Sequence, residues 1–501
     1  MEPNINILVL GPVFIPFIGG VVALLLARFN RAQRWLGFLA GLAATICSVL
    51  ILVDTIQIGP QTYQLGGWQP PYGIVFVSDM LSAVFTLMAS AVLSMGLLYA
   101  VHCLDKCVTY PTFIPLFLMM EAGLNGAFLT GDLFSLFVFM ELMVLSSVTL
   151  VAISDDRLGL EAAVKYIFIS GMGTLFLLLG IAAIYTTFGS LNMADIAQSL
   201  GTGERPFLAQ GAAVMLMSAF LLKSAVFPFH FWQPDFHTTA PTPVHAVLSS
   251  VVVKIGVYGI IRMITLLFTE EASVIQTWVL ILGLIGIFFG SMGAYRTYDG
   301  KRMLAYSTIG QIGFILVGIG WGTPLALAAA IIYAFNHAFI KSALLMIMGL
   351  VSSRTNPKTA KFKDITGVGP KLPVIIGVLW FVGGMALAGL PPLNGFIGKL
   401  ALVQSGTASQ DWIPLGLLVG AGILTVMYMM RSWQSVFQKK PTEETVDTKP
   451  KGDSVLAPTL LIATCVFLGF YATPLVDLAN YTVQQLQDPQ IYITAVGLLG
   501  G

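Results

Sequence analysis

Apolar stretches of about 20 residues, each long enough to cross a bilayer as a helix, recur along the whole chain. Short polar or basic segments separate them. They fall near 5–27, 34–57, 79–101, 111–129, 131–153, 161–187, 208–238, 243–266, 273–294, 301–320, 324–350, 371–405, 412–437 and 456–476. The pattern predicts an all-α polytopic membrane protein of about 14 transmembrane helices. Two of the stretches, 208–238 and 371–405, are too long for one straight helix, and both contain proline, so two broken helices are expected. The first stretch follows Met1-Glu2-Pro3, with no basic segment before it and no clear cleavage site, and reads as a retained span.

Composition agrees. Of the 501 residues, 56% are hydrophobic and 10% charged, against about 25% charged in an average soluble domain. This excludes a soluble enzyme, a secreted domain and a nucleic-acid binder. The net charge of +1 offers nothing to a polyanion. Four cysteines and five histidines show neither zinc nor redox spacing, and no cofactor motif is present, so neither metal nor cofactor is expected.

The basic residues test the span count. Of 25 Lys and Arg, only Arg205 and Arg262 fall in segments that follow even-numbered spans, and Lys223, Lys254, Lys341 and Lys399 fall inside spans. All the others sit in segments after odd-numbered spans. The positive-inside rule makes those segments cytoplasmic and leaves both termini outside. The longest polar linker, 437–454, reads as flexible.

The four lysines inside spans, with Glu141, are the main functional signal, because a charge at membrane depth costs several kcal/mol (~3 on insertion scales). Nothing near Glu141 in sequence pairs with it. Its charge state depends on whether a lysine lies close. The plainer reading is a structural ion pair. Lys223 precedes Pro228, and a helix broken at depth is tolerated where it lines a wet cavity. A lysine snorkelling from a helix end is the alternative there. His245 and Lys254 share one span, about 13 Å apart along the axis. They read as two stations of one proton path, joined by water or by Ser249 and Ser250. His337 and Lys341 are four apart and so share a helix face. Lys399 follows the second break, Ala388-Gly389-Leu390-Pro391-Pro392. His230 and His237, beside the first break, read either as part of an access path or as helix-end caps.

Two broken spans, each with a lysine near its break, suggest two inverted five-helix repeats. The expected organisation is a single transmembrane domain over 1–501. Residues 1–110 would hold helices 1–3, 111–266 the first repeat, 273–437 the second, and 456–501 the last helix and a tail. Glu141, Lys223, Lys254, His337, Lys341 and Lys399 would form a line across the midplane, suited to protons and small cations, with His245 as a further candidate site residue.

Specific strings then point to a family. Gly66-Gly67-Trp68-Gln69-Pro70-Pro71-Tyr72-Gly73-Ile74, Asn125-Gly126-Ala127-Phe128-Leu129-Thr130-Gly131-Asp132-Leu133-Phe134, Gly189-Ser190-Leu191-Asn192-Met193-Ala194 and Asp488-Pro489-Gln490-Ile491-Tyr492-Ile493 carry the resemblance. The chain resembles the antiporter-like subunits of respiratory complex I, membrane-bound hydrogenases and Mrp-type cation/proton antiporters, and most of all the D subunits of the last. The stretch Pro228–His237, with Ala240–His245, looks more like the complex I and hydrogenase members. The resemblance implies Glu141 and Lys223 as a coupled pair, Lys254 as the link to the second repeat and Lys399 as its terminal lysine. It also implies work in a bacterial cytoplasmic membrane, within a hetero-oligomeric complex of other membrane subunits, exchanging protons for Na+. A proton-pumping module of a redox enzyme, complex I or a membrane-bound hydrogenase, is the alternative, and a passive channel or assembly scaffold a third.

Overall fold

The computed structural model describes residues 5–202 and 206–497; Arg205 lies outside the described residues. The helices in chain order are α1 (Gly11–Leu25), α2 (Asn30–Ile58), α3 (Met80–Val101), α4 (Phe113–Leu129), α5 (Leu133–Ala152), α6 (Arg157–Phe188) and α7 (Met193–Thr202). They continue with α8 (Phe207–Lys223), α9 (Trp232–Thr239), α10 (Thr242–Val247), α11 (Lys254–Arg262), α12 (Ala272–Arg296), α13 (Gly300–Gly320) and α14 (Pro324–Ser353). The last are α15 (Phe362–Ile365), α16 (Val374–Ala388), α17 (Asn394–Ala408), α18 (Trp412–Trp433), α19 (Leu456–Phe470), α20 (Thr473–Leu486) and α21 (Pro489–Val496). Two antiparallel pairs, β1 (Gln61–Gln64) with β2 (Val75–Ser78) and β3 (Thr355–Asn356) with β4 (Asp447–Thr448), close loops at the helix ends.

Acidic residues that bracket the apolar runs start helices. The carboxylates of Asp79, Asp132, Asp156 and Asp299 accept the backbone N–H groups of Ser82, Ser135, Gly159 and Arg302 at 2.6–3.0 Å. Each satisfies a donor that a helix start leaves free, stabilising it by about 1 kcal/mol. The core of the bundle is the span Thr242–Leu267 together with α14, both wholly buried, flanked by α13 and α3. α12 lies outside it and turns Trp278 and Phe288 outward, as a lipid-facing helix does. It meets α13 through glycines. A Cβ on Gly290 would stand 2.3 Å from the Gly310 nitrogen, and one on Gly313 would stand 2.6 Å from the Gly283 carbonyl. Only bare backbones allow that approach.

Several expectations need correction. Among the described residues, ten helices are long and apolar enough to cross a membrane, or eleven if the bent pair α19–α20 is one span. Three more expected spans correspond to shorter apolar helices, α4, α8 and α16. Both expected breaks are present: α8 ends at Lys223, and α16 and α17 are separate helices. A bend of 79° at the end of α19 was not foreseen. Arg262 is not a loop residue. It is buried against Asp79, the N-terminal cap of α3, with two guanidinium–carboxylate bonds of 2.6 and 2.7 Å. Arg34, too, lies within α2, where it donates to the carbonyls of Ala100, Val101 and Cys103 at the end of α3. The linker 437–454 is held in place. β4 pairs with β3, and the buried Asp453 accepts Tyr99 Oη–H at 2.7 Å and the Leu104 N–H at 2.8 Å.

Candidate functional site

The first break creates the first station. At Lys223 the helix stops, and its ammonium is buried while the chain turns through Ala225 at a φ of +52°. α11 presses against this end. A Cβ on Gly256 would stand 2.2 Å from the Phe220 carbonyl oxygen, so Lys223 and the Lys254 helix pack backbone to backbone. Lys223 Nζ donates to Ser170 Oγ at 2.7 Å and to Thr174 Oγ1 at 3.2 Å, both on α6. Glu141 Oε1 of α5 stands 3.5 Å from Nζ and accepts the Thr174 hydroxyl. Thr174 therefore bridges carboxylate and ammonium. Glu141 leaves a quarter of its side chain exposed.

The second station lies in the wholly buried span. Between α10 and α11 the backbone widens into a π turn over Leu248–Val252. Such turns recur at functional positions, because they release carbonyls from the α-helical ladder. Lys254 Nζ donates to one of these, the Ser250 carbonyl, and meets His337 Nδ1 of α14 at 3.1 Å. His337 and Lys341 do share a helix face. Lys341 Nζ turns toward α13, to Ser307 Oγ at 2.7 Å and the Leu304 carbonyl at 3.1 Å. Ser307 in turn contacts Tyr428 Oη at 2.8 Å.

The third station forms at the second break. Lys399 Nζ donates to the Leu387 and Ala388 carbonyls at 3.2 and 2.8 Å, the open C-terminal end of α16, where the helix dipole favours a cation. It also sits 5.3 Å from the Phe314 ring. Gly389 caps that end at a φ of +79°, and a Cβ there would stand 2.5 Å from Lys399 Cδ. Asn336 of α14 and Asn394 of α17 hold the break to the core by a side-chain bond of 3.0 Å.

The seven residues are thus grouped as Glu141–Lys223, Lys254–His337, Lys341 and Lys399. His245 stands apart. The path from His245 through Ser249 and Ser250 to Lys254 is not formed: Ser249 Oγ bonds Thr308 at 2.6 Å, and Lys254 takes the carbonyl of Ser250. His245 packs instead against His237 with ring centroids 4.7 Å apart, both rings buried with unpartnered nitrogens. Small cavities fill the gaps between stations. One of about 10 Å³ touches Ser170, Lys223, Val252 and Ile255; another of about 10 Å³ touches Gln311, Asn336, His337 and Leu387. Each has about the room of one water, with polar groups to hold it. Sequence reading missed Ser170, Thr174 and Ser307, because hydroxyls are common in membrane helices. It also missed Glu121, an acid inside α4, where the apolar-run signal that found Glu141 was equally present.

Fold and site together define a polytopic membrane protein whose interior holds a row of cationic side chains on neutral oxygen acceptors, with one carboxylate at its start. The family model described as "NADH:quinone oxidoreductase/Mrp antiporter, TM" matches residues 130–425, and the chain belongs to that family. It is 34% identical to the D subunit of the Na+/H+ antiporter of Alkalihalophilus pseudofirmus, over 98% of this chain and 99% of that protein. Its fold matches a chain of the Mrp complex from Dietzia sp. with a TM-score of 0.89 at 25% identity, covering 98% of both chains. It matches a chain of an archaeal membrane-bound sulfane sulfur reductase with the same TM-score of 0.89 at 27% identity, over 98% of this chain and 99% of that one.

Proposed function

We propose that this chain is a proton-translocating subunit of a multisubunit Na+/H+ antiporter, placed in a bacterial cytoplasmic membrane among other membrane subunits. The observation that carries the reading is the pair of Glu141 with the buried Lys223, bridged by Thr174, at the head of a row that continues through Lys254–His337 and Lys341 to Lys399. The near full-length likeness to the D subunit of a Na+/H+ antiporter supports the assignment. In the proposed topology α4, α8 and α16 are spans completed by their neighbouring segments. That gives fourteen spans, two inverted five-helix units and both termini outside, as the basic residues indicate.

The relay works by charge. Glu141 beside Lys223 favours the ammonium, and a proton taken by the carboxylate removes that support. Two unit charges about 7 Å apart interact by roughly 2 kcal/mol at an effective dielectric near 20. Such a change is felt at the next station. Lys254 and His337, in direct contact, can pass a proton without a mediator, whereas the cavities beside Lys223 and beside His337 each have room for about one water. The His245–His237 pair lies apart from this row, near the end of the bundle where Asp235 pairs with Lys165 and Arg302.

The test is ion exchange in everted vesicles carrying the full assembly, with a respiration-driven ΔpH followed by dye fluorescence. Na+ should collapse ΔpH in wild type and fail to do so in Lys399→Ala. The likeness to the sulfane sulfur reductase chain favours one second reading, a redox-driven pump module. It would show no cation effect, but copurification with a redox enzyme whose pumping the same variant abolishes.

A further inference from the structure

On the other side of α4 from Glu141 lies a second acid that the relay does not use. Glu121 sits in the middle of α4 with no exposed surface, and neither carboxylate oxygen has a hydrogen-bond partner. Its tip faces α2 and α3: a Cβ on Gly41 would stand 3.4 Å from Oε2 and 3.4 Å from the Ser94 Cα. One turn along α4, Asn125 donates to Ser90 Oγ at 3.0 Å and to the Pro12 carbonyl at 2.9 Å, while its own Oδ1 is unpartnered. Ser48 of α2 reaches the same Ser90 at 3.1 Å.

These groups belong to a ladder. α3 carries Ser82, Thr86, Ser90 and Ser94 at four-residue intervals, so the hydroxyls line one face over about 18 Å. All four are buried. The ladder runs from the Asp79–Arg262 pair, which Ser82 joins through Arg262 Nη2 at 3.1 Å, to Glu121. Thr86 Oγ1, midway, is also without a partner.

Among the described residues no charge neutralises Glu121. α1 and α3 carry no charged residue. On α2, Arg31 is exposed and Arg34 is spent on carbonyls at one end, and Asp54 accepts from Asn6 at the other. On α5, Glu141 points to Thr174 and Lys223. On α11, Lys254 is bound to His337, Arg262 to Asp79, and Tyr258 donates to the Phe128 carbonyl. An ionised carboxylate buried without donors is among the most unfavourable arrangements in a protein.

We propose that Glu121 is a proton-binding site, separate from the midplane row, and that the α3 hydroxyl ladder is its route from the end of the bundle where Asp79 and Arg262 pair. The proton resides on the carboxyl group and leaves through Ser94, Ser90 and Thr86. Binding at Glu121 does not depend on which assembly the chain serves.

The test is infrared spectroscopy of the purified assembly. The C=O stretch of a protonated carboxylic acid should be present in wild type and lost in Glu121→Gln. In D2O the band should shift as the proton exchanges, roughly tenfold more slowly in the double variant Thr86→Val/Ser90→Ala. A spectrum identical in wild type and Glu121→Gln overturns the site; a loss with unchanged exchange rate overturns the route. If Glu121→Gln fails to assemble, a hydrophobic carbodiimide applied to wild type decides. It takes the acid proton onto nitrogen and the carboxylate onto carbon, so an adduct on the Glu121 peptide supports the site. A clean Glu121 peptide beside a labelled Glu141 peptide refutes it.

Discussion

Replacing Glu141 by glutamine keeps the shape of the first station and removes its negative charge. At 3.5 Å, the two unit charges interact by about 5 kcal/mol at an effective dielectric near 20. Glu141 is 26% exposed, and the side-chain freedom given up in holding the pair offsets roughly half of that. About 2–3 kcal/mol of support for the Lys223 ammonium remains, a factor of roughly 30 to 150 in its equilibria. Ser170 and Thr174 stay in place, so the helices have no reason to separate. Expected is an assembled complex, seen as a band of unchanged mobility on a native gel, with Na+-driven ΔpH collapse reduced at least tenfold in rate. Glu141→Asp, with a shorter reach to Thr174, should retain part of the activity. Wild-type exchange by Glu141→Gln across the pH range would refute the reasoning, since the ion pair would then be only a strut.

The other stations make further predictions. Gly389→Ala forces a side chain into a left-handed turn at a penalty of about 1–2 kcal/mol and drives Lys399 off its carbonyls, so it should mimic Lys399→Ala in exchange and lower the melting temperature. His337→Ala and Lys254→Met, measured singly and together, should be non-additive by about 1–2 kcal/mol in log rate, and additivity would deny the contact. Asp79→Asn strands a buried guanidinium at about 3–5 kcal/mol and should prevent assembly, whereas Asp79→Leu with Arg262→Met should restore it. Outside the membrane, Lys358 pairs with Asp105 at 2.7 Å. Burial works to raise the Asp105 carboxyl, but the Lys358 ammonium overcomes it and holds the group below the ordinary range. The stability this pair contributes is present above the unfolded carboxyl value of about 4 and is lost as pH falls through the lower folded value. Proteolysis of the 102–112 loop should therefore accelerate as the pH falls into the acid range, and earlier in Lys358→Ala.

What the sequence disclosed, and what it hid, follow from where the signal lies. Lys223, Lys254, Lys341 and Lys399 stand out because each interrupts an apolar run, and membrane insertion tolerates that only for a reason. The breaks at Pro228 and Pro391-Pro392 are written in local chemistry. Partners are another matter. Asp79 and Arg262 are 183 residues apart, each at the edge of an apolar run, and each reads locally as a cap or a loop residue. The His245–His237 pairing was hidden because the short α9 folds back to bring the rings together, which periodicity cannot show. Thr174 and Ser170 carry no signal by themselves; only the arrival of Lys223 gives them a task. The count of fourteen spans goes beyond the ten or eleven helices long and apolar enough to cross a membrane among the described residues, because α4, α8 and α16 are short apolar helices.

The buried carboxylate of Asp453 has a practical consequence for anyone wishing to watch this protein at work. The linker it fastens is a strap with one outward-facing stretch, Lys439–Glu444, where successive side chains are exposed. A fluorophore or epitope tag inserted there would sit at the surface, away from the buried anchor. The same insertion ten residues later would pull Gly452 and Asp453 off Arg354 and Tyr99, and would loosen the seat of α19 along with them.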